Sequence, residues 1–248
     1  MLKFALTSDT HYGHNKNTHR VHEKFLEKLA ADIAAQDIKV LIHAGDWTSN
    51  KQDQFYRTLK MFRKYIDIPI LGVRGNHDLW QYSPRDEQKL SLTELDKKHN
   101  EWFTESNIHH LQNGPFVIDD VVIVGFDGWY YSHNPPTNDE TMMCKFEGAD
   151  RATVHLTREA YLKLDTLLQM DLSQYRKAVM VTHHPPFTES YVYMQHCANP
   201  NYFEPIKEKF DVFCTGHSHH YWNETQDDCL VLNCGSDYNE PKHLVFEI

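Results

Sequence analysis

The chain has 248 residues, 40% of them hydrophobic and 24% charged, enough for one large domain with a sizeable core. Its net charge of -10 speaks against a general affinity for nucleic-acid backbone, and any phosphorylated substrate would need locally supplied positive charge. Five cysteines (144, 197, 214, 229 and 234) form no CxxC pair, so neither a disulfide framework nor a thiolate zinc site is expected. The N-terminus runs straight into an apolar strand pattern without signal-peptide features, and no apolar run is long enough to span a bilayer. A cytoplasmic location, with no membrane partner, is the expectation.

In chain order, residues 3–7 read as a first buried strand ending in Ser8-Asp9-Thr10-His11-Tyr12-Gly13-His14. Phe25, Leu26, Leu29 and Ile33 recur at helical spacing. Residues 40–43 form the next strand, ending in Ala44-Gly45-Asp46-Trp47, and a second amphipathic helix carries Phe55, Leu59 and Phe62. A third strand over 70–73 runs into Arg74-Gly75-Asn76-His77-Asp78. This strand–helix alternation predicts parallel strands with crossover helices.

Leu92, Leu95 and Trp102 mark a helix, and residues 117–118 and 121–124 a hairpin around Asp119-Asp120. Residues 129–150 are rich in Tyr, Asn, Pro and Asp and read as a loop insertion, with Trp129, Tyr130 and Tyr131 suited to an ordered wall. A helix is expected over 157–170 with Thr157 as N-cap. Strands follow at 178–181, ending in Thr182-His183-His184-Pro185-Pro186, and at 212–214, ending in Thr215-Gly216-His217-Ser218-His219. Between them come a loop with Tyr191, Tyr193 and His196 and a short helix near 203–209. Closing strands are expected at 230–232 and 244–246. No repeat or linker interrupts the chain, so residues 1–248 read as a single domain.

The histidines are the informative feature. There are 18, and many cluster with carboxylates after apolar strands. The strand ends supply Asp9 and His11, then Asp46, then Asn76 and His77, then His183 or His184, then His217 and His219. In a parallel-rich sheet these ends converge on one edge. Carboxylate, amide and imidazole donors suit Mn, Fe, Zn or Ni rather than a thiolate-loving ion. Even seven ligands from this set exceed one ion's needs and fit two ions about 3.5–4 Å apart. The Asp-x-His and His-x-His spacings let both members of a pair face the metals from an extended backbone.

The order Asp-x-His, Gly-Asp, Gly-Asn-His-Asp, His, Gly-His-x-His, running from Asp9 to His219, resembles the calcineurin-like metallophosphoesterase superfamily. The resemblance implies a four-layer α/β/β/α sandwich, with two mixed sheets flanked by helices. It implies one metal held by Asp9, His11 and His219, a second held by Asn76, His183 and His217, and Asp46 bridging them. The family's spacing before proline selects His183 over His184. His77 is then a general acid or transition-state stabiliser, with Asp9, Asp46 or Asp78 as its orienting partner. His14, Arg74 and His184 are candidate substrate contacts. The Gly-Asp motif continues as Trp47-Thr48-Ser49-Asn50 and lacks the continuation of the Ser/Thr protein phosphatases.

The functional expectation is a hydrolase of small phosphoesters, with phosphodiesters as the leading class, that uses two divalent or mixed-valence transition-metal ions. The alternatives are a phosphomonoesterase or a nuclease of the same superfamily, and a non-catalytic metal-binding scaffold. A nuclease would need a basic track, and the acidic sequence shows none.

Overall fold

The computed structural model describes residues 1–14, 18–49, 52–81, 90–129, 152–185, 203–238 and 240–248. The first half builds strands β1 (Lys3–Thr7), β2 (Val40–Ala44), β3 (Ile70–Val73) and β4 (His109–His110). They pair in parallel in that order, and β11 (His243–Glu247) returns antiparallel beside β1. The second half builds β5 (Phe116–Ile118), β6 (Val121–Gly125), β7 (Lys177–Val181), β8 (Val212–Cys214), β9 (Tyr221–Gln226) and β10 (Cys229–Cys234). Their order is β5-β6-β7-β8-β10-β9, with the four inner strands parallel and both edge strands antiparallel.

Alternation along each strand assigns the layers. Phe4, Leu6, Ile42 and Val73 of the first sheet pack on Ile123, Val179, Val181 and Cys214 of the second. Ala5, Leu41 and Ile70 point the other way, onto helices α1 (Thr18–Gln36), α2 (Gln52–Tyr65) and α4 (Leu92–Glu105), through Leu26, Leu59 and Phe103 among others. Val122, Met180 and Phe213 cover the opposite outer face against α5 (Ala152–Gln169) and α6 (Phe203–Lys209). The result is the expected four-layer α/β/β/α sandwich of two mixed sheets. No helix among the described residues is long and apolar enough to cross a membrane.

Some local expectations change. Thr157 lies inside α5, which begins at Ala152, so it is no N-cap. Strand β9 escapes the sequence pattern because its residues are mostly exposed and polar and pair only along one edge of β10. The insertion expected at 129–150 lies, apart from Trp129, outside the described residues, as do Tyr191, Tyr193 and His196.

The sheets are also joined by charge. Arg74, just past β3, places its Nη2 2.6 Å from Oδ2 of Asp127, just past β6, and its backbone N–H donates to Asp127 Oδ1 at 2.7 Å. Nη1 reaches Asp96 at 2.7 Å and donates to His99 Nδ1 at 3.2 Å. His110 closes the cluster at 3.0 Å from Asp127 Oδ1. Burial works against the charge on Asp127, but Arg74 and His110 outweigh it and hold the carboxyl far below the usual carboxylate range. His99 and His110 are pushed down, chiefly by burial.

Removing one partner of such a buried pair strands the other charge. Arg74→Ala is expected to destabilise the fold by about 3–5 kcal/mol, read as a lower urea midpoint. Because the Asp127 carboxyl is depressed in the folded state, its contribution is complete above the unfolded carboxylate value of about 4 and drains as pH falls below it. Urea titrations of wild type and Asp127→Asn across that acid range check the sign: the variant should lose less stability on acidification.

Candidate metal centre

The site lies at the carboxyl ends of the parallel strands in both sheets. Asp9 and His11 follow β1, Asp46 follows β2, and Asn76 and His77 open a short helix α3 (Asn76–Leu79) after β3. His183 follows β7, and His217 and His219 follow β8. Backbone bonds interlock these loops. Asp9 N–H donates to Gly45 O at 2.9 Å, His11 N–H to Asp46 O at 3.1 Å, and Gly216 N–H to His183 O at 3.0 Å.

An extended backbone at the Asp-x-His and His-x-His pairs, expected from their spacing, is not what brings the side chains together. Asp9, His11, Asp46, His217 and His219 have φ of 49°, 47°, 56°, 65° and 56°, all left-handed. Non-glycine residues rarely enter this region, and such strain gathers at functional sites. Here it turns each loop sharply back over its own strand end, so neighbouring side chains point into one volume.

Asp46 is the centre of that volume. Its Oδ1 accepts the His77 backbone N–H at 3.0 Å. Its Oδ2 lies 3.3 Å from His183 Nε2, 3.7 Å from His11 Nε2 and 4.0 Å from His77 Nε2. On one side, His11 Nε2 and His219 Nε2 approach to 3.2 Å, with Asp9 Oδ1 3.5 Å from the latter. On the other, Asn76 Oδ1 lies 3.2 Å from His183 Nε2, and His183, His184 and His217 can bring ring nitrogens within 4.8 Å of one another. Asp9, Asp46 and His183 meet the same criterion, so the donor groups form one continuous set.

The ring tautomers are set from behind. His183 Nδ1–H donates to the Ala44 carbonyl at 2.8 Å, and His219 Nδ1–H to Asp237 Oδ1 at 3.1 Å, which turns both Nε2 atoms inward. His77 Nδ1–H donates to the Ser49 carbonyl at 2.7 Å. Its orienting partner is therefore a backbone oxygen, not Asp9, Asp46 or Asp78. Asp78 instead accepts the backbone N–H groups of Gly75, Thr48 and Trp47 at 2.9, 3.0 and 3.3 Å, which shapes the loop.

Electrostatically, the cluster wants cations. Burial opposes charge on Asp46, yet His183, His77 and His11 hold its carboxyl well below the ordinary value. Burial likewise opposes charge on His183, but Asp46 pushes it up to about 9. His219 is also raised to about 9, against its burial, by Asp9, Asp46 and Asp237. Buried carboxylates with convergent imidazole nitrogens, and no thiolate among them, fit borderline divalent metals. The same donors fit a cation better than they fit each other, since His11 and His219 present ring nitrogens face to face.

The other candidates fall elsewhere. His14 is exposed at the mouth, its ring 4.4 Å from that of Tyr238. His184 is buried between His217, at 4.3 Å, and Trp129, at 5.4 Å. Arg74, a candidate substrate contact, commits its guanidinium to Asp127, Asp96 and His99. His43 sits beneath the site, stacked on Trp47 at 3.6 Å and 3.2 Å from Thr10 Oγ1. Sequence reasoning passed over Asp237 and Tyr238, because a turn through Gly235 and Ser236 separates them from the end of β10 and neither belongs to a recognised motif. A cue was present in the break at Asn233-Cys234-Gly235-Ser236 after a strand.

Gly75 makes the close packing possible. A Cβ there would stand 2.1 Å from Asp46 Oδ1 and 2.6 Å from its backbone nitrogen. Gly75→Ala is expected to displace the Asp46 carboxylate and weaken metal binding by roughly 10- to 100-fold. Calorimetric titration of the chelated protein with Mn²⁺ reads this directly.

A family model for calcineurin-like phosphoesterases matches residues 2–221. Among solved structures, phosphopantetheinyl hydrolase from Mycobacterium tuberculosis aligns with a TM-score of 0.68 and 16% identity, over 96% of this chain and 90% of that one. TT1561 of Thermus thermophilus aligns with a TM-score of 0.59 and 11% identity, over 96% and 90%. The 5'-nucleotidase precursor from Thermus thermophilus aligns with a TM-score of 0.50 and 14% identity, over 99% of this chain and 51% of that one. At such identities the likeness is one of fold. No curated protein sequence matches the chain. The chain belongs to the calcineurin-like phosphoesterase family and is a phosphoester hydrolase.

Proposed function

We propose that the protein hydrolyses small phosphodiesters with two bound transition-metal ions, drawn from Mn, Fe, Zn or Ni. The observation that carries this reading is the position of the Asp46 carboxylate. It lies between the Asp9, His11 and His219 donors and the Asn76, His183 and His217 donors, within 3.7 Å of a ring nitrogen on each side. Asp9, His11 and His219 would hold one ion and Asn76, His183 and His217 the other, with the Asp46 carboxylate within reach of both. Two such ions, when bound, would supply a reactive nucleophile from water near neutral pH and neutralise phosphoryl oxygens.

The chain's own residues do the rest. His77 is buried, and its Nδ1–H is tied to Ser49. Nε2 therefore faces the substrate volume and can give a proton to the leaving oxygen. The ring is clamped against Trp80, with centroids 3.6 Å apart, so little ordering is left for the moment of reaction. His14 at the mouth is proposed to contact the ester, whereas His184, 1% exposed, lies behind His217 and supports it instead.

Charge favours a diester. Arg74 is neutralised by Asp127 and Asp96, which leaves imidazoles and the bound ions to face the phosphoryl group. A singly charged diester asks less of them than a doubly charged monoester. The net charge of -10 favours small substrates over long polyanions.

The test is hydrolysis of bis-p-nitrophenyl phosphate and p-nitrophenyl phosphate by chelated protein and after addition of each metal. Metal-dependent turnover that prefers the diester is expected. Preference for the monoester would overturn the diester assignment, and ion binding without turnover of either would overturn the enzymatic reading. His77→Ala should keep its metal content and lose about 10²–10⁴-fold in kcat.

A further inference from the structure

The family match ends at residue 221, yet the chain beyond it returns to the metal centre. After β10 the backbone turns through Gly235 and Ser236, and Asp237 pairs with Glu240 across a tight turn, with N–H to O distances of 3.3 and 2.8 Å. Ser236 Oγ anchors the turn by accepting the Lys242 N–H at 2.8 Å and donating to the Lys242 carbonyl at 3.1 Å. Asp237 fastens it to the site through His219 Nδ1.

This anchoring lays Tyr238 across the donor cluster. Its ring stacks on His11, with centroids 4.2 Å apart and planes 23° apart, and meets His219 at 5.2 Å and His14 at 4.4 Å. Its phenolic Oη stands 3.4 Å from His77 Nε2, the nitrogen left facing the site once Nδ1 is bound to Ser49. Two polar atoms at that separation can both reach one acceptor at ordinary hydrogen-bond length. The acceptor that His77 serves is the oxygen leaving phosphorus.

We propose that Tyr238 is a catalytic residue that donates a hydrogen bond to the same leaving-group oxygen as His77. This rests on the function proposed above and on the role of His77 in it. In the step, the oxygen of water bonds to phosphorus, the ester P–O bond breaks, and the leaving oxygen takes the proton from His77 Nε2. Tyr238 keeps its own proton and stabilises the charge that builds on that oxygen before the transfer is complete. The proton released from water passes to solvent, and His77 is reprotonated from solvent. The contribution grows with the basicity of the leaving group, because a poor leaving group carries more unstabilised charge.

Tyr238→Phe keeps the ring that stacks on His11 and removes only the hydroxyl. It is compared with wild type, both loaded with Mn²⁺, on methyl p-nitrophenyl phosphate and methyl phenyl phosphate. The variant should bind as much metal as wild type. It should lose roughly 10- to 100-fold in kcat on the phenyl ester, the rate equivalent of one lost hydrogen bond, with KM unchanged. On the p-nitrophenyl ester the loss should be about threefold or less, because that leaving group needs little help. In the chelated full chain, the ¹⁵N resonance of His77 Nε2 should move on Tyr238→Phe. Full activity of the variant, equal losses on both esters, or an unmoved His77 resonance would overturn the role of Tyr238 alone. Failure of the wild-type holoenzyme to hydrolyse either ester would instead overturn the proposed function, and this inference with it.

Discussion

A carboxylate that water cannot reach governs this structure. Asp46 is 1% exposed, and a lone buried anion costs several kcal/mol even after relaxation. The fold offsets that cost from two directions. The His77 backbone N–H satisfies one oxygen, and imidazoles from the ends of β1, β3 and β7 surround the other. Because β7 belongs to the second sheet, the same charge that needs neutralising also joins the two sheets at their carboxyl ends. The approach is so close that a side chain on Gly75 or Gly216 has no room: added Cβ atoms would meet Asp46 Oδ1 at 2.1 Å and the Ala44 carbonyl at 2.6 Å.

That convergence is held in strain. Left-handed conformations at Asp9, His11, Asp46, His217 and His219 each cost on the order of 1–3 kcal/mol. They persist because the neighbouring strands are buried on both faces and because cross-loop bonds fix each turn. The His217 N–H, for example, donates to both oxygens of Asp9 at 2.9 and 3.1 Å, so a residue after β8 positions one after β1. Rigid sheet ends supply the restoring force, and the loops convert it into direction.

The sequence carried most of this in readable form. Apolar runs of three to five residues, each closed by a polar cluster, marked the parallel strands and so the edge where the site lies. Asp9, His11, Asp46, Asn76, His77, His183, His217 and His219 could be named because each follows such a run directly. What could not be read was the local means of convergence. Spacing in an Asp-x-His pair is compatible with extended and left-handed backbones alike, and only the packed loops decide between them. The partner of His77 was also hidden, since a main-chain carbonyl such as that of Ser49 has no signature in residue type. Tyr238 was missed for a related reason: it reaches the site through a turn tied by Ser236 and Asp237, and long-range contacts of that kind leave no periodicity.

The chain holds a second buried cluster of similar composition, and the contrast explains why the two differ in purpose. Arg74, Asp127, Asp96, His99 and His110 also bring carboxylates and imidazoles together. There, however, the donors meet acceptors. Arg74 neutralises the acids, His99 accepts from Arg74 through Nδ1, and its Nε2–H donates to Gln52 Oε1 at 2.5 Å. Gln52 passes the chain on to the carbonyls of Asp78 and Trp80 at 2.9 and 2.8 Å, which braces the helix that bears His77. Such a network is complete and has nothing to offer an ion. Around Asp46 the balance is different: among the described residues no guanidinium or ammonium joins the ion pairs of Asp9 or Asp46, and their neighbours are ring nitrogens turned toward one another. Imidazoles can give up their inward protons to a metal ion, which a guanidinium or ammonium in the same place could not do. It is therefore the lack of a permanently charged guanidinium or ammonium at Asp9 and Asp46 among the described residues, rather than the mere number of histidines, that separates the candidate metal centre from the brace beside it.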